Sequence, residues 1–186
     1  MLYISKGKLV KRRQKQVLVS RFGGGQVLNE LQSRLWLNGL TGFVEPMDSN
    51  EEQAVLFLIK EGLAVACEID TGREQYLTLT KCILCVYKKK GRTLFYKKRE
   101  KEVLLWLRYQ GMRLSIEELI FLFEKKIAPT PERLKKGNEE AIRRLLYPSP
   151  IIIGNPLRNV MAVALCRDEI ISTVLSLLKK REIFLI

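Results

Sequence analysis

The sequence predicts an α+β protein, and three observations lead to that class. Hydrophobic residues make up 47% of the 186 residues, enough to bury a core. Helix-period apolar stripes are interspersed with short, β-branched apolar runs, and glycines and prolines separate the two kinds of segment. We expect an N-terminal mixed strand and helix domain over residues 1–92. A smaller C-terminal α/β domain with a mixed sheet should follow over residues 93–186.

The N-terminal half is predicted to begin with strands and to continue with helices. Its strongest helix signal is the capping-box spacing of Ser49 and Glu52, with Gly62 at the expected C-terminal cap. The order of elements makes this half winged-helix-like. The predicted elements are one or two strands in residues 2–22, helices over 26–37 and 49–61, a strand over 63–67 and a turn at 70–72.

The second half is predicted to contain helices, then loops, then strands. Five of the six prolines fall in residues 127–156 and favour loops there. Residues 170–177 are β-branched and are interpreted as a strand, with a helix over 168–180 as the alternative. The apolar tail 182–186 is expected to pack in the core or to join a neighbour's sheet. The other predicted elements are helices over 80–90, 95–110 and 139–146, a helix or strand pair over 114–123, a strand over 160–165 and a polar turn at 167–169.

Positive charge gathers in the second half of the chain. The formal net charge is +13; residues 1–78 contain 10 Lys and Arg against 9 Asp and Glu, and residues 79–186 contain 23 against 11. Such density repels itself and is often matched by a polyanion such as RNA, although a solvated lysine-rich face is the alternative. Tyr87 and Tyr96 could stack on bases, but core packing is favoured for Tyr87. The RNA-binding candidates are Lys88, Lys89, Lys90, Arg92, Lys97, Lys98, Arg99 and Lys101.

Most independent enzyme chemistry is excluded by composition. The chain has no histidine, the usual general acid–base and catalytic metal ligand. The three glycines at 23–25 lack the Lys-Ser/Thr pair of a phosphate-binding loop. We therefore expect no catalytic residue and no cofactor.

The cysteines are expected to be buried thiols in a reducing compartment rather than a disulfide framework. Cys82 and Cys85 form a lone C-x-x-C, and a zinc site would also have to recruit Cys67 and Cys166. We expect no metal. The longest apolar runs are shorter than the roughly 20 residues of a membrane span, so no membrane partner is expected.

Several segments, taken in order, resemble the non-catalytic structural subunit of the tRNA-splicing endonuclease. In that family an N-terminal strand region precedes a Gly-Phe, which Gly42 and Phe43 match here. The similar segments are residues 51–62 to an acidic helix P-E-E-A-L-Y-L-L-E-x-G, 77–82 to a helix start L-S/T-x-x-x-A-Y, 107–112 to a helix end L-K-R-x-G-Y, and 160–172 to F-A-L-V-D-x-G-D-I-S-F.

This resemblance implies a role without chemistry. Catalytic subunits use a Tyr-His-Lys set to drive attack of a ribose 2′-hydroxyl, and a histidine-free chain cannot supply it. The family role is to pair with a catalytic subunit through C-terminal strands and to help position precursor tRNA in a hetero-oligomer. Its location would be the nucleus, or the cytoplasm of an archaeon or bacterium. The implied partner-binding residues are Arg167, Asp168 and Glu169 in a docking loop, and Ile183, Phe184 and Leu185 in the last strand.

Two other functions compete with this one. A winged-helix DNA-binding transcriptional regulator would use residues 49–62 as recognition helix, 71–73 as wing and 76–79 as the following strand. Its weakness is that Glu51 and Glu52 would then face phosphates. The third function is assembly alone, for example on a ribosome, with no specific RNA role.

Overall fold

The computed structural model describes residues 1–21, 23–87, 96–108, 113–135, 137–147 and 166–186. Within them the chain is α+β, as expected. The described strands are β1 Leu2–Ser5, β2 Lys8–Arg13, β3 Gln16–Arg21, β4 Gly24–Leu28, β5 Ala64–Cys67, β6 Ile83–Val86, β7 Leu114–Ser115 and β8 Ile183–Leu185. The described helices are α1 Glu30–Gly39, α2 Ser49–Lys60, α3 Gly72–Leu79, α4 Lys98–Arg108, α5 Ile116–Glu124, α6 Glu139–Leu146 and α7 Arg167–Lys179.

The described strands form three small antiparallel sheets. β1 pairs with β5, β2-β3-β4 form a meander, and β6 lies between β7 and β8. The C-terminal sheet was expected to be mixed, but in the described part both neighbours run against β6. Residue Leu84 on β6 faces Leu114 on one side and Leu185 on the other, so this short strand joins two segments that are 71 residues apart in the sequence.

Two large apolar clusters make up the core. One is built around Tyr3, Trp36 and Leu58 and takes its buried members from residues 3–64. The second is built around Leu84 and Trp106 and takes nearly all of its members from residues 76–185. The change-over falls between residues 64 and 76, ahead of the boundary predicted at residue 92.

The β1–β5 ribbon lies between the two clusters. Side chains alternate across a strand, so Tyr3 packs in the first cluster and its neighbour Ile4 packs in the second. On β5, Ala64 and Val65 divide in the same way. The ribbon therefore joins the halves through its two faces.

Predicted elements in residues 70–90 are wrong. Residues 80–90 were expected to be a helix, but β6 occupies 83–86 because its backbone pairs with β7 and β8. The turn predicted at 70–72 instead begins α3, where the Thr71 hydroxyl accepts a hydrogen bond from the Glu74 N–H. Residues 77–79, compared above with a helix start, are the end of α3. This helix also occupies the wing and following strand that a winged helix would need.

The strand preferred for residues 170–177 is also wrong, and its helical alternative is confirmed as α7. Ile170, Val174 and Leu177 form the buried stripe of that helix. The predicted turn 167–169 is its first turn. The helix alternative for 114–123 is confirmed as α5, after the two-residue strand β7, and α6 has its predicted bounds. The strand predicted over 160–165 lies outside the described residues.

In the N-terminal half, the predicted strands number three instead of one or two, and β4 takes the start of the helix predicted over 26–37. The cap of α2 also differs by one residue. Asp48, and not Ser49, accepts the hydrogen bond from the Glu51 N–H, at 2.8 Å. No described helix combines the length and the apolar character that crossing a bilayer requires.

Candidate nucleic-acid interface

Half of the predicted RNA-binding residues can be placed in the structure. Lys88, Lys89, Lys90 and Arg92 lie outside the described residues. The other four, Lys97, Lys98, Arg99 and Lys101, lie at and just before the start of α4. Lys97 and Lys98 are exposed, and Lys101 is half-buried. Among the described residues, none of these three lysine side chains forms an ion pair, so all three could meet a phosphate.

Arg99 differs from its neighbours because carboxylates already hold it. Its Nε donates to Glu169 at 2.9 Å, and its Nη1 lies 3.2 Å from Glu102. The guanidinium also lies over the ring of Phe123, 5.0 Å from its centroid. The hydrogen bond to Glu169 is the first cause of a raised pKa for Arg99. A phosphate would have to displace these partners, so this residue joins α4 to α7 instead of presenting a free cation.

The two tyrosines considered for base stacking are also engaged. Tyr87 packs against Phe184, with ring centroids 4.8 Å apart, as the core-packing interpretation predicted. The Tyr96 hydroxyl donates to the Glu182 carboxylate, and this bond is the main cause that raises the pKa of Tyr96. The Lys180 ammonium lies 5.1 Å from the Tyr96 ring centroid. Each of the two rings therefore already makes a contact within the described fold.

Glu182 also fixes both flanks of the undescribed range 88–95. The Tyr87 N–H donates to the Glu182 carbonyl at 3.1 Å, and the Tyr96 hydroxyl donates to the Glu182 side chain. Both flanks therefore lie at the turn between α7 and β8, where Arg181 is exposed.

The predicted docking loop is not a loop. Arg167, Asp168 and Glu169 form the first turn of α7, and Glu169 binds Arg99. The Arg167 guanidinium lies 5.7 Å from the Tyr76 ring centroid and its Nε donates to Asp168 at 3.1 Å. The structure thus brings one predicted RNA-binding residue and one predicted partner-binding residue into a single ion pair.

The last strand packs inside its own chain. Ile183 and Leu185 are at most 1% exposed in the second large cluster. Phe184 is 8% exposed and packs with Cys85 and Ile186 on the opposite face of the sheet. Of the two places expected for the tail, the structure shows the core. A partner could not reach these three side chains without opening the fold, and the Leu185 carbonyl already accepts the Gly7 N–H at 2.7 Å.

The cysteine pair does not form a metal site in the described chain. Cys82 packs in the second large cluster, whereas Cys85 faces the small cluster on the other side of the sheet. All four thiols are free, and no described group of three His, Cys, Asp or Glu could hold a metal ion. Burial raises the pKa of Cys82 to about 11, which disfavours the thiolate that binds metal.

One basic surface escaped the sequence analysis. Residues 1–29 contain seven Lys and Arg and no Asp or Glu. The charge count over residues 1–78 concealed this excess, because it also included the acidic residues of α1 to α3. Most of these cations lie on the β2–β3 hairpin, where β2 is exposed along nearly its whole length. A count over a shorter window would have found them.

In comparisons with known proteins, no family model, no curated protein and no solved structure matches the chain.

Proposed function

We propose that this chain is a non-catalytic subunit of a tRNA-splicing endonuclease, which pairs with a catalytic subunit and helps bind and position precursor tRNA. The observation that carries the proposal is a chain of net charge +13 with no histidine. Such a chain is suited to sequence-independent contact with phosphates and lacks the general base that cutting RNA by this route requires. In a eukaryotic source the complex would lie in the nucleus.

The order of described elements supports the same proposal. Strands β1 to β4 precede Gly42 and Phe43, and the acidic helix α2 and the short strand β5 then follow in the order of the family pattern. Helix α4 ends at Arg108, within the segment compared with the family's L-K-R-x-G-Y helix end. Residues 77–79 depart from the family order, because they end α3 where the family pattern begins a helix.

A DNA-reading role for α2 has less support. Glu51, in its first turn, is 6% exposed, accepts the Met47 N–H at 2.9 Å and binds Arg34 at 2.7 Å. The leading end of the helix is therefore tied to α1, whereas a recognition helix presents this end to base edges.

The proposal is tested by purifying the tagged chain from its own cells under mild conditions. The associated fraction is incubated with an intron-containing precursor tRNA, and released introns are resolved on a gel. We expect cleavage by the associated fraction and none by the isolated chain. Cleavage by the isolated chain, or a fraction that leaves the precursor intact while cell extract cuts it, would contradict the proposal.

A further inference from the structure

An open groove of about 820 Å³ lies between the β2–β3 hairpin and α1. Four cations line it: Arg12 and Lys15 from the hairpin, Arg34 from α1 and Arg181 from the turn between α7 and β8. Glu30 is the one carboxylate in the described lining. Segments far apart in sequence therefore place positive charge around one concave surface, where it can act on a ligand together.

These cations are available to an anion. Arg12 and Arg181 are exposed and form no ion pair in the part of the chain that the structure describes. Lys15 pairs with Glu30 at 2.6 Å, but both side chains are more than half exposed, at 73% and 62%, so a ligand can replace this pair easily.

Arg34 is held in place and still offers donors. The Glu51 carboxylate binds one guanidinium nitrogen of Arg34 at 2.7 Å; the Glu51 side chain is 7% exposed and the Arg34 side chain is 60% exposed. A guanidinium has five N–H donors in a rigid plane, so fixing one side orients the others. An arginine that is ordered beforehand loses less entropy when it binds a phosphate.

Two residues of the groove lining have left-handed backbone conformations. They are Gln14, with φ +44°, and Arg181, with φ +55°. They are two of the three described non-glycine residues with positive φ. Arg181 follows the C-terminal cap of α7, a place where glycine is strongly preferred. The two-residue hairpin turn accounts for the positive φ of Gln14. At Arg181, an arginine stands where glycine would be less strained.

The outer face of the hairpin extends the positive surface. Lys8, Lys11 and Arg13 pair with Ser20, Leu18 and Gln16 on β3, whereas Arg12 pairs with the buried Val17 on the opposite, groove side. Cations thus lie on both sides of an edge strand. This arrangement matches an extended ligand with repeated negative charges.

We propose that the hairpin groove, lined by Arg12, Lys15, Arg34 and Arg181, binds the phosphate backbone of RNA. The site is separate from the α4 lysines, and its ligand class rests on the function proposed above. Three of its four cations are arginines, the side chain whose planar fork matches phosphate oxygens. A protein partner would need an apolar anchor pocket, but Leu31 and Leu37 of the lining are half-buried against the first cluster.

The test removes two groove charges without straining the fold. Arg12→Gln combined with Arg181→Gly is compared with Lys60→Gln combined with Arg73→Gln, which removes the same charge from exposed positions elsewhere. Binding of fluorescein-labelled folded tRNA to the full chain is measured by anisotropy between 50 and 300 mM salt. Glycine relieves the left-handed conformation, so the melting temperature of the groove variant should not fall.

We expect the groove variant to bind about 25- to 60-fold more weakly than wild type near 0.1 M salt. The slope of log affinity against log salt should become shallower by about 2. The control should stay within about threefold, because its cations are not gathered around a groove.

Three results would overturn the proposal: no tRNA binding by wild type at 50 mM salt, equal losses in the two variants, or polyglutamate competing as well as tRNA at equal charge. These outcomes are independent of the cleavage assay. Intron release with unchanged binding by the groove variant would reject the groove alone. A groove effect without associated cleavage would reject the endonuclease subunit alone.

Discussion

At the scale of single residues, Glu100 is the least exposed charged residue in the part of the chain that the structure describes. It is 1% exposed, and its carboxylate accepts bonds from Lys180 at 2.7 and 2.8 Å, Ser176 at 2.8 Å and the Lys97 N–H at 2.9 Å. This residue is the one acid in the basic run 81–101. In the sequence it looks like an interruption of that run, but it joins the start of α4 to the end of α7.

We expect Glu100→Gln to lower the free energy of unfolding by about 2 kcal/mol, because charge-assisted hydrogen bonds to a buried group are weakened. Urea denaturation at pH 7 measures this change. Glu140→Gln is the control, since Glu140 and its partner Arg144 are 69% and 79% exposed and 3.5 Å apart. The control should change stability by less than about 0.5 kcal/mol. Equal effects of the two substitutions would contradict the role of Glu100.

The same carboxylate predicts an acid dependence. Burial raises the pKa of Glu100, but hydrogen bonds from Lys180, Ser176 and the Lys97 N–H outweigh burial and hold the pKa below its ordinary value of 4.5. The native state therefore binds this proton less readily than the unfolded chain does. Its stabilising effect should be complete above pH 4.5 and fade as the pH falls through the lower native value. Urea curves for wild type and Glu100→Gln should converge in acid; a gap that widens would contradict this.

At the scale of elements, helices with a regular apolar stripe could be predicted from the local sequence pattern alone. The bounds of α6 were predicted correctly, and α2, α4 and α5 were placed within a few residues. β6 was missed because its apolar run fits a helix equally well until β8 pairs with it from the other end of the chain. α3 was missed although Thr71 and Glu74 have capping-box spacing, because the neighbouring Asp70 and Gly72 favour a turn.

At the N-terminus of α2, the residue that caps the helix differs from the one that the sequence spacing predicted. We expect Asp48→Ala to lower the free energy of unfolding by about 1 kcal/mol, since its side chain accepts the Glu51 N–H. Ser49→Ala should be nearly neutral, because no described residue hydrogen bonds to the exposed Ser49 side chain. Thermal unfolding followed by circular dichroism measures both. A larger loss for Ser49→Ala would restore the capping box predicted from the sequence.

At the scale of the whole molecule, the α+β class could be predicted from the sequence and the net charge could be counted. The positions of the charges on the folded surface could not be predicted. Counting over 1–78 concealed the hairpin cations, and no local pattern could bring Arg181 to Arg12 and Arg34. The closeness of Arg181 to Arg12 and Arg34 depends on how the two halves of the chain pack together. Arg99 shows the reverse case: it stood in a basic run but is bound by Glu102 and Glu169.

The fold also requires its final strand. Removing residues 183–186 takes four side chains out of the apolar clusters and leaves one edge of β6 without a partner. Each such side chain contributes about 1.5–3 kcal/mol of burial, a sum comparable to the whole stability of a domain. We expect the shortened chain to lose cooperative thermal unfolding, measured by circular dichroism. Met47→Ala, at a side chain that is 90% exposed, should melt like wild type; a shortened chain that does so would contradict this.

The hairpin groove takes Arg12 and Arg34 from the first half of the chain and Arg181 from the second. A ligand bound there would contact both halves at once and would help to hold them together. By linkage, its binding free energy would add to the free energy that keeps the halves docked. The protein would then be most rigid when loaded, and the concentration of its ligand would set how often the halves separate.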